Sequence, residues 1–165
     1  KKYYDEHPAL FSERKIYQLQ EVAVEADAKQ VEALKAALPP ITQDAACFFE
    51  DHVVIADEGG KVAVEIGAGH KVAAAFKGVK AAIHQNHGLI TASRHSIEAA
   101  AFWFIALERC CQQQLLIDAS GQTPQLVPAD KARYSREHVG SEYIGWLHFQ
   151  PIWEQLLKTQ PDMLS

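Results

Sequence analysis

"KAAIHQNHGLITASRHSIEAAAFWFIALERCCQQQLL", residues 80–116, decides how this chain folds. Its first half is apolar around two histidines and breaks at Gly88, so "VKAAIHQNHGLITA" (79–92) reads as a strand pair. Its second half carries the helix signals. Ser96 stands where a cap is wanted, and Gly121 lies where a left-handed residue closes the last turn. From Ala99 to Leu107 the helix is apolar on every side, which predicts a place in the domain centre or at a subunit contact.

Upstream of this stretch, Ser12 and the apolar spacing of Ile16, Leu19, Ala23, Val31, Leu34 and Leu38 predict helix over 12–38, stopped by Pro39-Pro40. "TQDAACFFEDH" (42–52) predicts a short helix and "VVIA" (53–56) a strand. Gly59-Gly60 then turns into "KVAVEI" (61–66) as a second strand, which predicts a hairpin. "GHKVAAAFKG" (69–78) suits a short helix closed by Gly78. Downstream, "GQTPQLVPAD" is a connector, and the tail from Lys131 reads as a short helix, a glycine turn and an amphipathic segment around "PIWEQLLKT". Interleaved strands and helices predict an α/β fold, a mixed sheet with helices packed on it.

Bulk composition narrows the function. With 165 residues, the chain has enough length for one domain with a substantial core. The apolar fraction is 48% and the charged fraction 22%, and no apolar stretch reaches the length of a membrane span, so no membrane insertion is expected. A net charge of -5 gives no electrostatic reason to bind nucleic acid, which leaves a small molecule or another protein as partner. Cys47, Cys110 and Cys111 are odd in number and two are adjacent, which suits buried free thiols better than a disulfide framework. The start, "KKYYDEHPALF", lacks signal-peptide features, and a cytoplasmic location is the expectation.

Several residues offer chemistry, and each has a plainer reading beside it. In a regular strand His84 and His87 point to opposite faces and do not readily share an ion. His87, beside Gly88, is the better ligand candidate, because a glycine lets a group approach the backbone. A hydrogen-bonded core histidine is the competing reading. Glu50 and Asp51, followed by His52, offer an acid/base pair, since neighbouring carboxylates raise one another's pKa; a solvated acidic loop competes. Glu108-Arg109 is read as a functional pair, an ion pair or a subunit contact. Phe102, Trp103 and Phe104 line an apolar pocket or serve packing, and Trp146, His148 and Trp153 make the tail aromatic. Cys110 has no paired base in the sequence, which argues against a nucleophile.

The stretch quoted first, with its Asn-His-Gly at 86–88 followed by a capped helix, resembles the class II aldolase/adducin family. "ITQDAACFFEDHVVI" (41–55) and "GSEYIGWLHFQPIWEQLLKTQPDML" (140–164) resemble the branch of that family with a Trp-Phe-Gln-Pro type tail. The resemblance covers 38–165 and leaves 1–37 as a helical arm or a replaced N-terminal piece. It implies a three-layer α/β/α fold with a central, mainly antiparallel sheet, assembled as a homo-oligomer, a tetramer or a dimer. It also implies that His87 is one of three histidines holding a divalent metal, commonly zinc, with Asn86, Gly88, Trp146 and His148 near the substrate. Lyase-type chemistry would follow, in which the metal polarises a carbonyl or hydroxyl oxygen and stabilises an enediolate.

The chain departs from that pattern at a decisive place. The family's His-x-His pair should precede Ile41, where this sequence reads "VEALKAALPP" (31–40). Its eight histidines, at 7, 52, 70, 84, 87, 95, 138 and 148, include no two separated by one residue. A catalytic zinc needs three protein ligands. The missing pair lies on a segment absent from this numbering, or metal chemistry has been lost and the fold kept as a scaffold, or a site has been rebuilt with Glu50, Asp51 or His52 beside His87. A further version keeps an apolar pocket near Trp103 and Trp146 and binds a hydrophobic small molecule without metal, indifferent to chelators.

Overall fold

The computed structural model describes residues 38–55, 66–76 and 78–164. The helix expected over 12–38 falls almost wholly outside these residues, as do the arm at 1–37 and the strand at 61–66.

The chain enters at Leu38 and forms α1 (Gln43–Ala46), capped by Thr42, whose Oγ1 accepts the Ala45 N–H at 3.1 Å. Glu50 adopts a left-handed backbone (φ 57°) and turns the chain into β1 (His52–Ile55). The short helix read at 69–78 forms as α2 (Ile66–Ala75), starting three residues earlier, and Gly78 follows it at φ 87°, a backbone conformation that disfavours other residues. Next come β2 (Ala81–His84) and β3 (Gly88–Thr91). β1 pairs with β2 in parallel, His52 opposite Ala81 and Ile55 opposite His84, and β2 pairs with β3 antiparallel, Ala81 opposite Thr91. The described sheet is therefore mixed, in the order β1-β2-β3, and helices flank it. The α/β class read from the sequence is the observed one.

α3 (Ile97–Ser120) carries both signals read for it. Ser96 Oγ accepts the Ala99 N–H at 3.1 Å, and Gly121 closes the helix at φ 66°. Ala99, Trp103, Leu107 and Cys110 recur at spacings of four, four and three, so they form one stripe, and that stripe is buried. The rest of the helix is not all at the domain centre: Ile97, just before the apolar run, is 86% exposed, and Phe104, within it, 44% exposed. Thr91 Oγ1 donates to Ala100 O at 2.8 Å and ties β3 to α3.

After the connector come α4 (Ala129–His138) and α5 (Glu142–Thr159). α5 begins well before the segment expected around Pro151, because Ser141 caps it and its first turns pack on α3. Pro151 therefore sits inside the helix, where its missing N–H removes one backbone bond, and the α3 contact overrides the local helix-breaking preference. A short 3-10 turn (Pro161–Leu164) ends the described chain. The core joins Leu38, Ala45, Phe48, Ala81, Ala99, Trp103 and Leu107, with Phe48 meeting Trp103 edge to face at 5.7 Å between ring centres. Among the described residues no helix is long and apolar enough to cross a membrane.

Candidate functional site

The opening stretch holds two histidines, and the structure places them differently from a regular strand. Residues 85–87 form a turn, not strand: the His87 N–H donates to His84 O at 3.0 Å, and Asn86 (φ 63°) and Gly88 (φ 105°) both take left-handed backbone. A two-residue side-chain alternation does not survive such a turn. The His84 and His87 rings consequently stack, 4.3 Å between centres and 28° between planes, instead of facing apart. Asn86, His87 and Gly88 are exposed at the hairpin tip.

The other expected ligand, His52, lies at the opposite end of β1. It pairs with Ala81, three strand positions from the Ile55–His84 pair, about 10 Å along the sheet. Its ring is 8% exposed and fully engaged. Nε2 accepts the Leu38 N–H at 2.5 Å and Nδ1 lies 2.7 Å from Phe48 O, so the neutral ring carries its proton on Nδ1. Burial is the leading cause that pushes the His52 pKa below the usual histidine value. With both nitrogens committed to backbone, this tautomer has no lone pair left for an ion.

Glu50 and Asp51 are also separated in role. Glu50 forms a two-pronged pair with Arg133, 2.9 and 2.8 Å, and Arg136 stands 3.6 Å from it. The Arg133 hydrogen bonds hold the Glu50 carboxyl below the usual carboxylate range, the reverse of the upward push expected from a neighbouring carboxylate. Asp51 instead accepts from the Lys80 backbone N–H at 3.2 Å and pairs with Lys80 Nζ at 3.1 Å.

Lys80 is the polar centre that the sequence did not announce. It is 7% exposed, and its Nζ donates to Cys47 O and Gly140 O, each at 2.7 Å, besides pairing with Asp51. The ammonium also lies 4.4 Å from the centre of the Trp103 ring and 5.3 Å from that of Phe48. Burial lowers the Lys80 pKa, opposed by Asp51. All three donors of the ammonium are used, so Lys80 fastens the loop after α1, the start of β2 and the α4–α5 corner together.

The metal implied by the family resemblance needs three donors that converge on one point. Among the described residues no group of three or more His, Cys, Asp and Glu is arranged to hold an ion. His84 and His87 come together, but His52, Glu50 and Asp51 are held elsewhere by backbone, arginine and lysine. The described donors do not fit a three-ligand metal site.

What the structure does assemble is a cleft of about 310 Å³ among α1, α3 and α5. Phe102, Trp103, Ala106 and Val139 give it an apolar wall, and Gln43, Asp44, Arg109 and His148 a polar rim. His148 meets Phe102 edge to face at 4.9 Å, which fixes one side of the opening. Trp146 lies outside it, 38% exposed and stacked on Tyr143. Glu108 and Arg109 are both exposed and do not pair; Glu108 accepts from Gln112 at 3.2 Å, while Arg109 borders the cleft. Cys47 also lines it, as a free thiol that burial pushes up in pKa. Cys110 and Cys111 are pushed by burial up to about 12 and about 11, so both remain protonated at neutral pH and are poor nucleophiles. The role of Lys80 and the polar rim of the cleft were missed for one reason, since each is built from segments far apart in sequence, whereas the pocket wall at Phe102 and Trp103 was among the readings. The one local signal was Lys80 itself, a charge opening an otherwise apolar strand.

Comparison with known proteins adds the lineage of this arrangement. The model of the class II aldolase and adducin N-terminal domain matches residues 24–115. The decarboxylase NovR of Streptomyces niveus is 43% identical over 128 residues, covering 78% of this chain and 46% of that protein. A protein of Streptomyces roseochromogenus subsp. oscitans, named 4-hydroxy-3-prenylphenylpyruvate oxygenase/4-hydroxy-3-prenylbenzoate synthase, is 42% identical over 128 residues, 78% of this chain and 45% of its own. This chain thus spans less than half the length of either relative. Among solved structures, L-fuculose 1-phosphate aldolase from Glaciozyma antarctica PI12 superposes with a TM-score of 0.67 at 33% identity, over 81% of this chain and 49% of that one. An aldolase II superfamily protein from Pseudomonas syringae shares the fold, with a TM-score of 0.62 at 24% identity over 74% of this chain and 48% of its own.

Proposed function

The chain belongs to the class II aldolase and adducin family, and from that premise we propose that it binds an aromatic or otherwise hydrophobic small molecule in the cleft among α1, α3 and α5, without a metal held by its own described residues. The observation that carries this reading is the cleft itself. Its volume of about 310 Å³ falls at the lower end for small-molecule sites, and its wall of Phe102, Trp103, Ala106 and Val139 with a few polar groups at the rim is the usual composition of such sites. The two Streptomyces relatives support it by their names, one a decarboxylase, the other an oxygenase of a substituted phenylpyruvate and synthase of a substituted benzoate. An aryl oxo acid matches an aromatic wall beside an arginine in both shape and charge.

Titration with phenylpyruvate, followed by tryptophan fluorescence in the presence and absence of EDTA, tests the reading. It expects saturable binding that the chelator leaves unchanged and that Phe102→Ala weakens. A chelator-sensitive signal, or none, overturns it; a chain that binds no small molecule and only self-associates would be the scaffold of the family.

The metal-dependent reading keeps a lyase-type reaction on a carbonyl or hydroxy compound, with zinc or another divalent ion held in part by His87. It is favoured by one observation, the paired His84 and His87 rings at the exposed hairpin tip. Its remaining ligands would have to come from outside the described residues or from another subunit, and elemental analysis of the purified protein with His87→Ala alongside decides it. A homo-oligomer, tetramer or dimer, is part of both readings, because Ile97 and Phe104 of α3 and Tyr143, Trp146 and Leu147 of α5 remain exposed.

A further inference from the structure

The rim of the cleft carries charges of both signs, and their arrangement bears on which ligands it admits. Arg109 stands on α3 two residues past Leu107 and beside Cys110, so its backbone is anchored by the most buried stripe of the fold while its head is exposed at the opening. Every ion pair found among the described residues lies elsewhere: Lys80 with Asp51, Lys131 with Asp130, Arg133 with Glu50, and Arg136 with Glu50 and Glu137. Arg109 therefore borders an aromatic-walled cleft with no carboxylate in ion-pair contact among those residues. Asp44, in the first turn of α1, borders the same cleft.

Resting on the pocket reading above, we infer that this cleft is specific for an aromatic monocarboxylate: Arg109 takes the carboxylate, and Asp44 rejects a second negative charge. A planar guanidinium offers two parallel N–H donors that match a carboxylate, and such a pair at the mouth of an apolar wall is stronger than one in open water. The ring then lies against the half-buried Phe102, whose flat face gains contact area. A carboxylate carries one charge and is met by one arginine. A phosphate ester carries close to two, and the second meets the Asp44 carboxylate rather than another cation. Specificity of this kind combines an attraction with a repulsion. The site thereby separates aryl acids from phosphorylated carbonyl compounds, although both are small oxygen-rich anions.

The experiment compares three probes of similar ring size on the full chain: phenylpyruvate, the neutral ketone phenylacetone, and phenyl phosphate. Binding is read by tryptophan fluorescence, with circular dichroism confirming the fold of each variant. The expected result is a preference of tenfold or more for phenylpyruvate over phenylacetone. That preference should vanish in Arg109→Gln, whose circular dichroism spectrum stays that of the wild type. Phenyl phosphate should bind weakly to the wild type and several-fold better to Asp44→Asn. Equal binding of phenylpyruvate and phenylacetone by the wild type, or an acid preference that survives Arg109→Gln, overturns the charge assignment while the pocket reading stands. Failure of all three probes to bind overturns both.

Discussion

The two ends of the short sheet make an instructive contrast. At one end, His52 and Lys80 are buried and every polar atom on their side chains is committed: the imidazole to Leu38 and Phe48, the ammonium to Cys47, Gly140 and Asp51. At the other, His84 and His87 stack at a hairpin tip whose residues 86–88 are exposed. Both ends are rich in ionisable groups, yet they differ in burial: His52 and Lys80 are buried, whereas residues 86–88 are exposed. Residue type alone does not reveal which ionisable groups folding locks away. The buried end holds the fold, and the cleft and the hairpin tip are what the fold holds out.

The strongest way to break this contrast is to substitute Lys80. Lys80→Ala removes the ammonium paired with Asp51, which keeps only the backbone N–H at position 80, and leaves two backbone carbonyls without donors; removal of one member of a buried pair costs about 3–5 kcal/mol. Urea unfolding should show that loss, and a change under about 1 kcal/mol would mean that the ammonium contributes little net stability.

The corner that Lys80 fastens also carries a steric test. A Cβ at Gly145 would lie 2.5 Å from Trp103 Nε1 and 2.7 Å from its Cε2. Gly145→Ala should therefore cost about 1–3 kcal/mol, typical of overpacking, and shift the fluorescence of Trp103. An unchanged melting temperature and spectrum would place α5 farther from α3 than described.

The buried end is also sensitive to acid. Burial holds the folded pKa of His52 below 6.5, so between that value and 6.5 the unfolded chain binds more protons than the folded one. Stability contributed by the neutral ring is complete above 6.5 and is lost as pH falls through that window. Urea midpoints measured from pH 7.5 downward should decline, and His52→Gln should be less stable at neutral pH with a shallower decline. A slope identical in the two proteins would assign acid sensitivity to other groups. The exposed end should respond least: His87→Ala is expected to alter stability by no more than about 0.5 kcal/mol, as for other surface positions, and a loss several times larger would give the hairpin tip a structural role.

Much of this architecture was legible because its signals are local. Ser96 and Gly121 mark α3 by chemistry that acts within one turn, and Thr42 marks α1 in the same way. The strand pair was legible from the break at Gly88, but not the stacking of its two histidines, because the turn occupies 85–87 and the left-handed backbone at Asn86 ends the strand alternation before His87. The Lys80 centre was hidden for another reason, since its acceptors at Cys47 and Gly140 lie 33 and 60 residues away. The cleft shares that property. Phe102 and Trp103 suggested a pocket by their neighbourhood, but the rim of Asp44, Arg109 and His148 comes from three helices and exists only after they pack.

Calorimetric titration of phenylpyruvate, in buffer containing EDTA, into the wild type, His87→Ala and Phe102→Ala tests most directly the proposal that the helical cleft, and not the histidine turn, binds the ligand. The same dissociation constant is expected for the wild type and His87→Ala, and binding at least several-fold weaker for Phe102→Ala. Binding that disappears with EDTA or with His87→Ala, and survives Phe102→Ala, would contradict it and return the site to the hairpin tip.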